Sequence, residues 1–307
     1  MMLLVLAAVL VAAFVWRAAW ISHVERSTSV RLPVGSGGIV PGTEPIALYP
    51  ASPAGAVLLL HGFGDSPQSI AFLAKRLYER GFAVYAPLLP GHGRTLRDFQ
   101  ASGEAEWIAE ARRALDSLRE RDERVAIVGL SMGGALAALL ASEERDLRAL
   151  VLLAPYLEPP RSVRAMALAA PAAGLLLPYM RGGDPRSIYD PEAHAAALSY
   201  RAVSPRSIAQ LVRVTERARS RLPQVHVPTL YVQSREDYRI SMAAAERCFE
   251  VLGAEDKRLE WLSDCGHVIT ADYCKERVAE LVTEWIEARV ERDDLRSRAL
   301  PGRSSLR

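Results

Sequence analysis

The sequence predicts an α/β fold, a mostly parallel sheet flanked by helices, with a helical insertion late in the sheet. Three observations carry this. β-type runs at Ala56–Leu60, Ala83–Pro87, Val125–Val128, Leu147–Leu153, Thr229–Gln233 and Lys257–Leu262 alternate with segments of helical periodicity. Such alternation implies right-handed crossovers and parallel strands. Several runs, such as Ala56-Val-Leu-Leu-Leu60, are apolar throughout, as strands covered on both faces are. Between Pro155 and Pro223 the alternation fails and Pro-rich turns and helical stretches take its place.

The first segment, residues 1–21, lies outside that pattern. Met1 to Trp16 is an unbroken apolar run that continues past Arg17 to Ile21, close to the span of about 20 residues that crosses a bilayer. No Lys or Arg precedes it and no small-x-small cleavage site follows, and Trp16 and Trp20 beside Arg17 resemble interfacial anchors, so a retained anchor is expected over a cleaved signal peptide. Arg17 and Arg26 behind the span lean towards a cytoplasmic domain, with the side left open.

Residues 22–55, rich in Gly, Pro and Ser from Ser27 onward, read as a tether with edge strands at Gly38–Val40 and Ile46–Tyr49. The core is expected at 56–154 and 224–292, interrupted by a lid or cap at 155–223. After Ala56–Leu60, Ser66 and Pro67 open a helix that stops at Gly81. A second helix, from about Glu104 to Arg121, carries Trp107, Ile108, Ala111, Leu115 and Leu118 on one face. The insertion holds an uncharged stretch, Met166–Met180, and a basic helix around Ile208–Arg221. A helix at Ser241–Leu252 and a last one from about Ala271 to Arg292 complete the core, and the arginine-rich tail 293–307 is expected to be disordered.

At 307 residues, 50% hydrophobic and 24% charged, the chain can bury the core of one large domain. Its net charge of +2, with acids and bases interspersed, leaves no footprint for nucleic acid. Cys248, Cys265 and Cys274 are too few and odd in number for a disulfide framework and lack metal-ligand spacing with histidine. Buried thiols are the favoured reading, with a Cys265–Cys274 bridge open if the domain is exported. No metal or cofactor is expected.

Chemistry concentrates where the run Val125-Ala-Ile-Val breaks at Gly129-Leu-Ser131-Met-Gly133 and restarts as an Ala/Leu-rich helix. This is the G-x-S-x-G pattern in its strand–turn–helix context. The tight turn strains the serine, glycines leave it room, and the helix N-terminus favours negative charge beside it. A serine of this kind becomes a nucleophile when a histidine takes its proton and a carboxylate orients that histidine. Catalytic groups of parallel sheets gather at the carboxyl ends of strands, where Asp237 follows Thr229–Gln233 and His267 follows Lys257–Leu262. Asp264 is too near His267 in sequence to reach it easily, and Glu236 points differently from Asp237. Among the other histidines, His61 shapes its loop, while His92, His194, His226 and His23 are surface or locally bonded residues. Gly91-His92-Gly93 is an ordinary turn.

Taken together, His61-Gly-Phe-Gly-Asp65, Gly129-Leu-Ser-Met-Gly133, Ser234-Arg-Glu-Asp237 and Cys265-Gly-His267 resemble, over roughly Ala56 to Ile286, the serine α/β-hydrolases of the monoacylglycerol lipase and small bacterial carboxylesterase type. The resemblance implies the α/β-hydrolase fold with a helical lid. It implies Ser131 as nucleophile, Asp237 as triad acid and His267 as base, and an oxyanion hole from the backbone N–H groups of Phe63 and Met132. Cys265 departs from the small polar residue usual before Gly-His. The expected function is hydrolysis of a carboxylic, lipid-like ester through an acyl-enzyme on Ser131, with Leu176 and Leu177 of the lid lining the acyl site. Alternatives stay open: a membrane-tethered scaffold that binds without catalysis, and acyl transfer (an acyltransferase), peptide bond cleavage or C–C bond hydrolysis by the same triad.

Overall fold

The computed structural model describes residues 1–299. In chain order its elements are α1 (Met2–Arg31), β1 (Ile46–Leu48), β2 (Ala56–Leu60), α2 (Ala71–Glu79), β3 (Ala83–Ala86), α3 (Leu96–Ala101), α4 (Glu104–Arg119), β4 (Val125–Leu130), α5 (Met132–Glu143) and β5 (Ala149–Leu153). There follow α6 (Arg161–Leu168), α7 (Ala170–Leu176), β6 (Met180–Arg181), α8 (Pro191–Ala196), β7 (Ala202–Val203), α9 (Pro205–Arg221), β8 (Thr229–Ser234), α10 (Met242–Glu250), β9 (Lys257–Leu262) and α11 (Lys275–Ala299).

Seven strands form one sheet in the order β1-β3-β2-β4-β5-β8-β9. Only the β1–β3 pair is antiparallel among them. Every residue of β2, β4 and β5 is buried, which is why these strands are apolar without alternation. α5 is buried from Met132 to Ala141, packed between its strand and α9 of the insertion. A helix apolar all round needs cover on every side, and here the insertion supplies it. This is the α/β-hydrolase fold.

Four expectations are corrected. The tether expected from residue 22 begins later, because α1 runs unbroken to Arg31 and buries Val24 and Thr28. Ser27 and Thr28 donate back to the Val24 carbonyl and Ser29 to that of Arg26, and no helix breaker occurs before Pro33. Gly38–Val40 forms a turn, with Gly38 at φ 75°, in place of a strand. Pro67 opens a short 3₁₀ turn ahead of α2, and the Ser66 side chain makes no capping bond there. The last helix passes Arg292 to Ala299, since no glycine or proline intervenes before Pro301, so that part of the expected tail is helical. Residues 300–307 of that tail lie outside the described residues.

The fifth correction concerns the cysteines. Cys265 and Cys274 are disulfide-bonded, with Cα atoms 5.9 Å apart, and Cys248 is a buried free thiol. The loop that carries His267 folds back onto the start of α11 and brings the two sulfurs together, a closure that spacing alone did not reveal.

Candidate active site

Ser131 is the single residue between β4 and α5, at φ 55° and ψ −113°, a backbone state that costs a side-chain-bearing residue of order 1–3 kcal/mol. The surroundings hold it there. Its N–H donates to the Leu153 carbonyl (2.9 Å), and its own carbonyl accepts from Tyr156 N–H (3.0 Å) and Ala135 N–H (3.2 Å). The flanking glycines are demanded by close approach. A Cβ at Gly129 would overlap the Gly133 carbonyl, and one at Gly133 would overlap that of Leu60.

His267 comes to this serine from the loop after β9. Its Nε2 lies 2.8 Å from Ser131 Oγ and its Nδ1 2.7 Å from Asp237 Oδ2. A carboxylate can only accept, so Nδ1 carries the proton and the bare Nε2 accepts from the serine hydroxyl. Asp237 is buried and fully engaged: Oδ2 also accepts from Gln233 Nε2 (2.8 Å), and Oδ1 from the N–H groups of Arg239 (2.8 Å) and Ile240 (3.2 Å). Burial works against its charge, yet the attraction of His267 and the hydrogen bonds from His267, Arg239 N–H and Gln233 outweigh it, and the carboxyl is held below its ordinary pKa. Asp264, by contrast, occupies a left-handed turn at φ 64° and makes no bond to His267.

Opposite the histidine stands the loop after β2. A Cβ on Gly62 would lie 3.5 Å from that of Ser131, so this loop flanks the serine. The backbone N–H groups of Phe63 and of Met132, at the first turn of α5, have no hydrogen-bond partner among the described residues. Two free donors beside a serine at a helix N-terminus suit a developing oxyanion. His61 directs the first of them. Leu89 N–H donates to its Nε2 (3.1 Å), so Nδ1 carries the proton and donates to the Gly62 carbonyl (2.9 Å), whose peptide ends in the Phe63 N–H. Burial drives the His61 pKa down to about 4 and keeps it neutral. His92, expected at the surface or in a local bond, is buried against His61, Phe99 and Trp107, with Nδ1 3.1 Å from the Pro90 carbonyl.

The insertion straps across both sides of the Ser131–His267–Asp237 cluster. On the His267 side, Val268 N–H donates to the Ser187 carbonyl (2.9 Å), and the buried Asp272 accepts from Tyr189 N–H (2.8 Å), Asp190 N–H (2.9 Å) and Gly266 N–H (2.7 Å). On the other side, Tyr200 N–H donates to the Gly64 carbonyl (2.8 Å) and Gln68 binds Ala196 and Leu198. Ser234 Oγ donates to the Cys265 carbonyl (2.5 Å). Sequence reasoning missed Gln233, Ser234 and Asp272 because each acts through a loop folded back on it. For Gln233 alone there was a signal, a polar residue at the end of an apolar strand. Leu176 and Leu177 are not buried over the serine: they stand 73% and 47% exposed beside α1.

A family model described as Hydrolase_4, serine aminopeptidase, S33, matches residues 51–273. The chain belongs to this family. It is 28% identical over 249 residues to the thermostable monoacylglycerol lipase of Bacillus sp. (strain H-257), covering 80% of this chain and 95% of that one. It is 27% identical over 234 residues to a carboxylesterase of Bacillus subtilis (strain 168), covering 76% and 92%. A solved structure from work on LipS and LipT, two metagenome-derived lipolytic enzymes, superposes with a TM-score of 0.75 at 31% identity, over 81% of this chain and 99% of its own. This member of the family is a serine hydrolase of the esterase and lipase kind, which sets the non-catalytic scaffold aside.

Proposed function

We propose that the chain hydrolyses carboxylic esters of lipid-like acids through an acyl-enzyme on Ser131, from a domain anchored to a membrane by α1. The observation that carries the reading is the unbroken hydrogen-bond line Ser131–His267–Asp237 at a strained strand–helix turn.

As Ser131 Oγ bonds to the ester carbonyl carbon, His267 Nε2 takes its proton and Asp237 stabilises the imidazolium. The carbonyl oxygen becomes an anion between the N–H groups of Phe63 and Met132. Collapse breaks the bond to the alcohol oxygen, which receives the proton from Nε2. Water then attacks the acyl carbon, gives its proton to Nε2, and Ser131 leaves with that proton. An alcohol in place of water would make the same site an acyltransferase.

The relatives named as a lipase and a carboxylesterase support esters, and the family description points to amides as the competing class. The test is a series of p-nitrophenyl esters of rising chain length, monoacylglycerols and aminoacyl p-nitroanilides, run on wild type and Ser131→Ala. Ester turnover that Ser131→Ala removes, with fluorophosphonate labelling lost alongside, supports the reading. More than about a tenth of wild-type activity in Ser131→Ala, or turnover confined to the anilides, rejects it.

For the anchor, α1 is long and apolar enough to cross a bilayer, with its apolar window wholly unburied. The disulfide favours an oxidising compartment, hence a domain on the outer side, against the weak lean of Arg17 and Arg26. Recovery of the full chain in the membrane fraction, with external protease access, is the expected result. A mature N-terminus beyond Ile21 would mean a signal peptide.

A further inference from the structure

α1 changes character at Arg17. Up to Trp16 its side chains are almost all exposed and apolar, Leu10 at 62% and Phe14 at 72% among them. From Arg17 the helix holds the insertion. Arg17 Nε donates to the Leu175 carbonyl (3.0 Å) and Nη2 to that of Gly174 (3.3 Å), so its cation sits at the C-terminal end of α7, where a positive charge meets unsatisfied carbonyls. Trp20 Nε1 donates to the Tyr179 carbonyl (3.2 Å), and Tyr179 OH donates to Glu25 (3.1 Å), which pairs with Arg97 of α3 (2.9 Å). Anchor helix and lid are thus joined by hydrogen bonds at Arg17, Trp20 and Glu25.

The lid presents an apolar surface at that point. From Ala165 to Met180 it has no charged residue, and Leu168 (86% exposed), Leu175 (71%) and Leu176 (73%) face outward. Their depth follows from α1, which is apolar and exposed up to Trp16 and whose first charge, Arg17, stands between Trp16 and Trp20, side chains that favour the membrane–water interface. Arg17, and with it Leu175 whose carbonyl it binds, therefore belongs at the level where hydrocarbon gives way to headgroups, with Leu168 and Leu176 on the same helix pair. An arginine there needs acceptors. Gly174 and Leu175 provide them.

We propose that the leucine face of α6 and α7 is seated in the interfacial layer of the same bilayer that α1 spans, held in register by Arg17. The occupant of the face is lipid, and the lid then meets a lipid ester without passage through water. This rests on α1 being a membrane anchor.

The test uses the full chain in phosphatidylcholine vesicles, with an environment-sensitive fluorophore on Leu176→Cys or, as reference, on Glu123→Cys, which is exposed where β4 begins, at the opposite end from Ser131. Cys248 is buried and the other cysteines are bonded. Quenching at 176 by doxyl-labelled lipid, with protection from iodide, and the reverse at 123, is the expected result. Arg17→Leu should keep vesicle flotation and shift the 176 signal towards that at 123. Leu168→Asp with Leu175→Asp should slow hydrolysis of vesicle-borne monoacylglycerol at least roughly tenfold while p-nitrophenyl acetate turnover holds. Iodide access at 176 in floated protein overturns the proposal and leaves the anchor standing. Protection from iodide without lipid quenching overturns it in favour of a second copy covering the face. Failure of the wild type to float removes both readings, whatever the ester assays give.

Discussion

His61 Nδ1 donates to the carbonyl of Gly62, 2.9 Å away, and in doing so fixes the peptide whose other end is the N–H of Phe63, in the loop that flanks Ser131. The bond polarises the peptide as well as orienting it. His61→Ala should therefore lower kcat by roughly 10²-fold with little change in KM, the signature of an interaction made in the transition state. An equal rise in KM with kcat held would show that His61 only packs the loop.

The same histidine makes stability fall in acid. Its folded pKa of about 4 lies below the ordinary 6.5, and His92 is displaced the same way, by burial and by its neighbour His61. Between those values the unfolded chain binds the proton and the folded one does not, so stability is lost as pH falls from 6.5 towards 4. His61 alone contributes about 3 kcal/mol to that loss. Asp65, its carboxyl raised by burial to about 6, acts in the opposite sense, gaining stability as pH falls from 6 to 3.8. Thermal melts should decline with acid in wild type, and His61→Phe should flatten the decline. An unchanged slope would contradict this account.

Asp237→Asn should reduce kcat/KM less than His267→Ala, since an imidazole without its carboxylate still offers a base. Both should keep the melting temperature within a few degrees. The reverse order of kinetic losses would mean that His267 is oriented by something other than the 2.7 Å bond to Asp237.

The disulfide closes a short loop around His267, two residues beyond Cys265. Replacing both Cys265 and Cys274 with Ser should cost about 2–3 kcal/mol of stability. Turnover should drop with it, because the loop that holds His267 is loosened. Reductant added to wild type should reproduce both effects, and full activity in reductant would count against this role for the bridge.

Two glycines should respond in opposite ways to alanine. At Gly133 the added Cβ meets the backbone of Leu60 and His61, which cannot give way, and the variant should lose more than about 4 kcal/mol and fail to accumulate folded. At Gly174 in α7 nothing lies within 4 Å and the backbone is helical, so Gly174→Ala should be neutral or stabilise by up to about 1 kcal/mol. Melting curves of the two variants decide it.

The strand–helix alternation, the buried parallel strands, the elbow at Ser131 and the strand-end positions of Asp237 and His267 were all legible in the sequence. Each depends on local periodicity, on turn chemistry or on the rule that places loops at one end of a parallel sheet. What the tertiary structure alone decided involves residues far apart in the chain. The partner of Arg17 is a carbonyl 158 positions away, and Asp272 reaches back to Gly266 and across to the insertion at Tyr189 and Asp190. Leu176 reads equally well as pocket wall or outer face, because an apolar residue on a short helix does not specify which side will be covered. In the folded chain α7 packs on α9 and α6 and leaves Leu176 exposed. Nor does a spacing of nine residues make Cys265 and Cys274 a pair until the loop closes. Periodicity reports which residues avoid water, and only packing chooses what they meet instead.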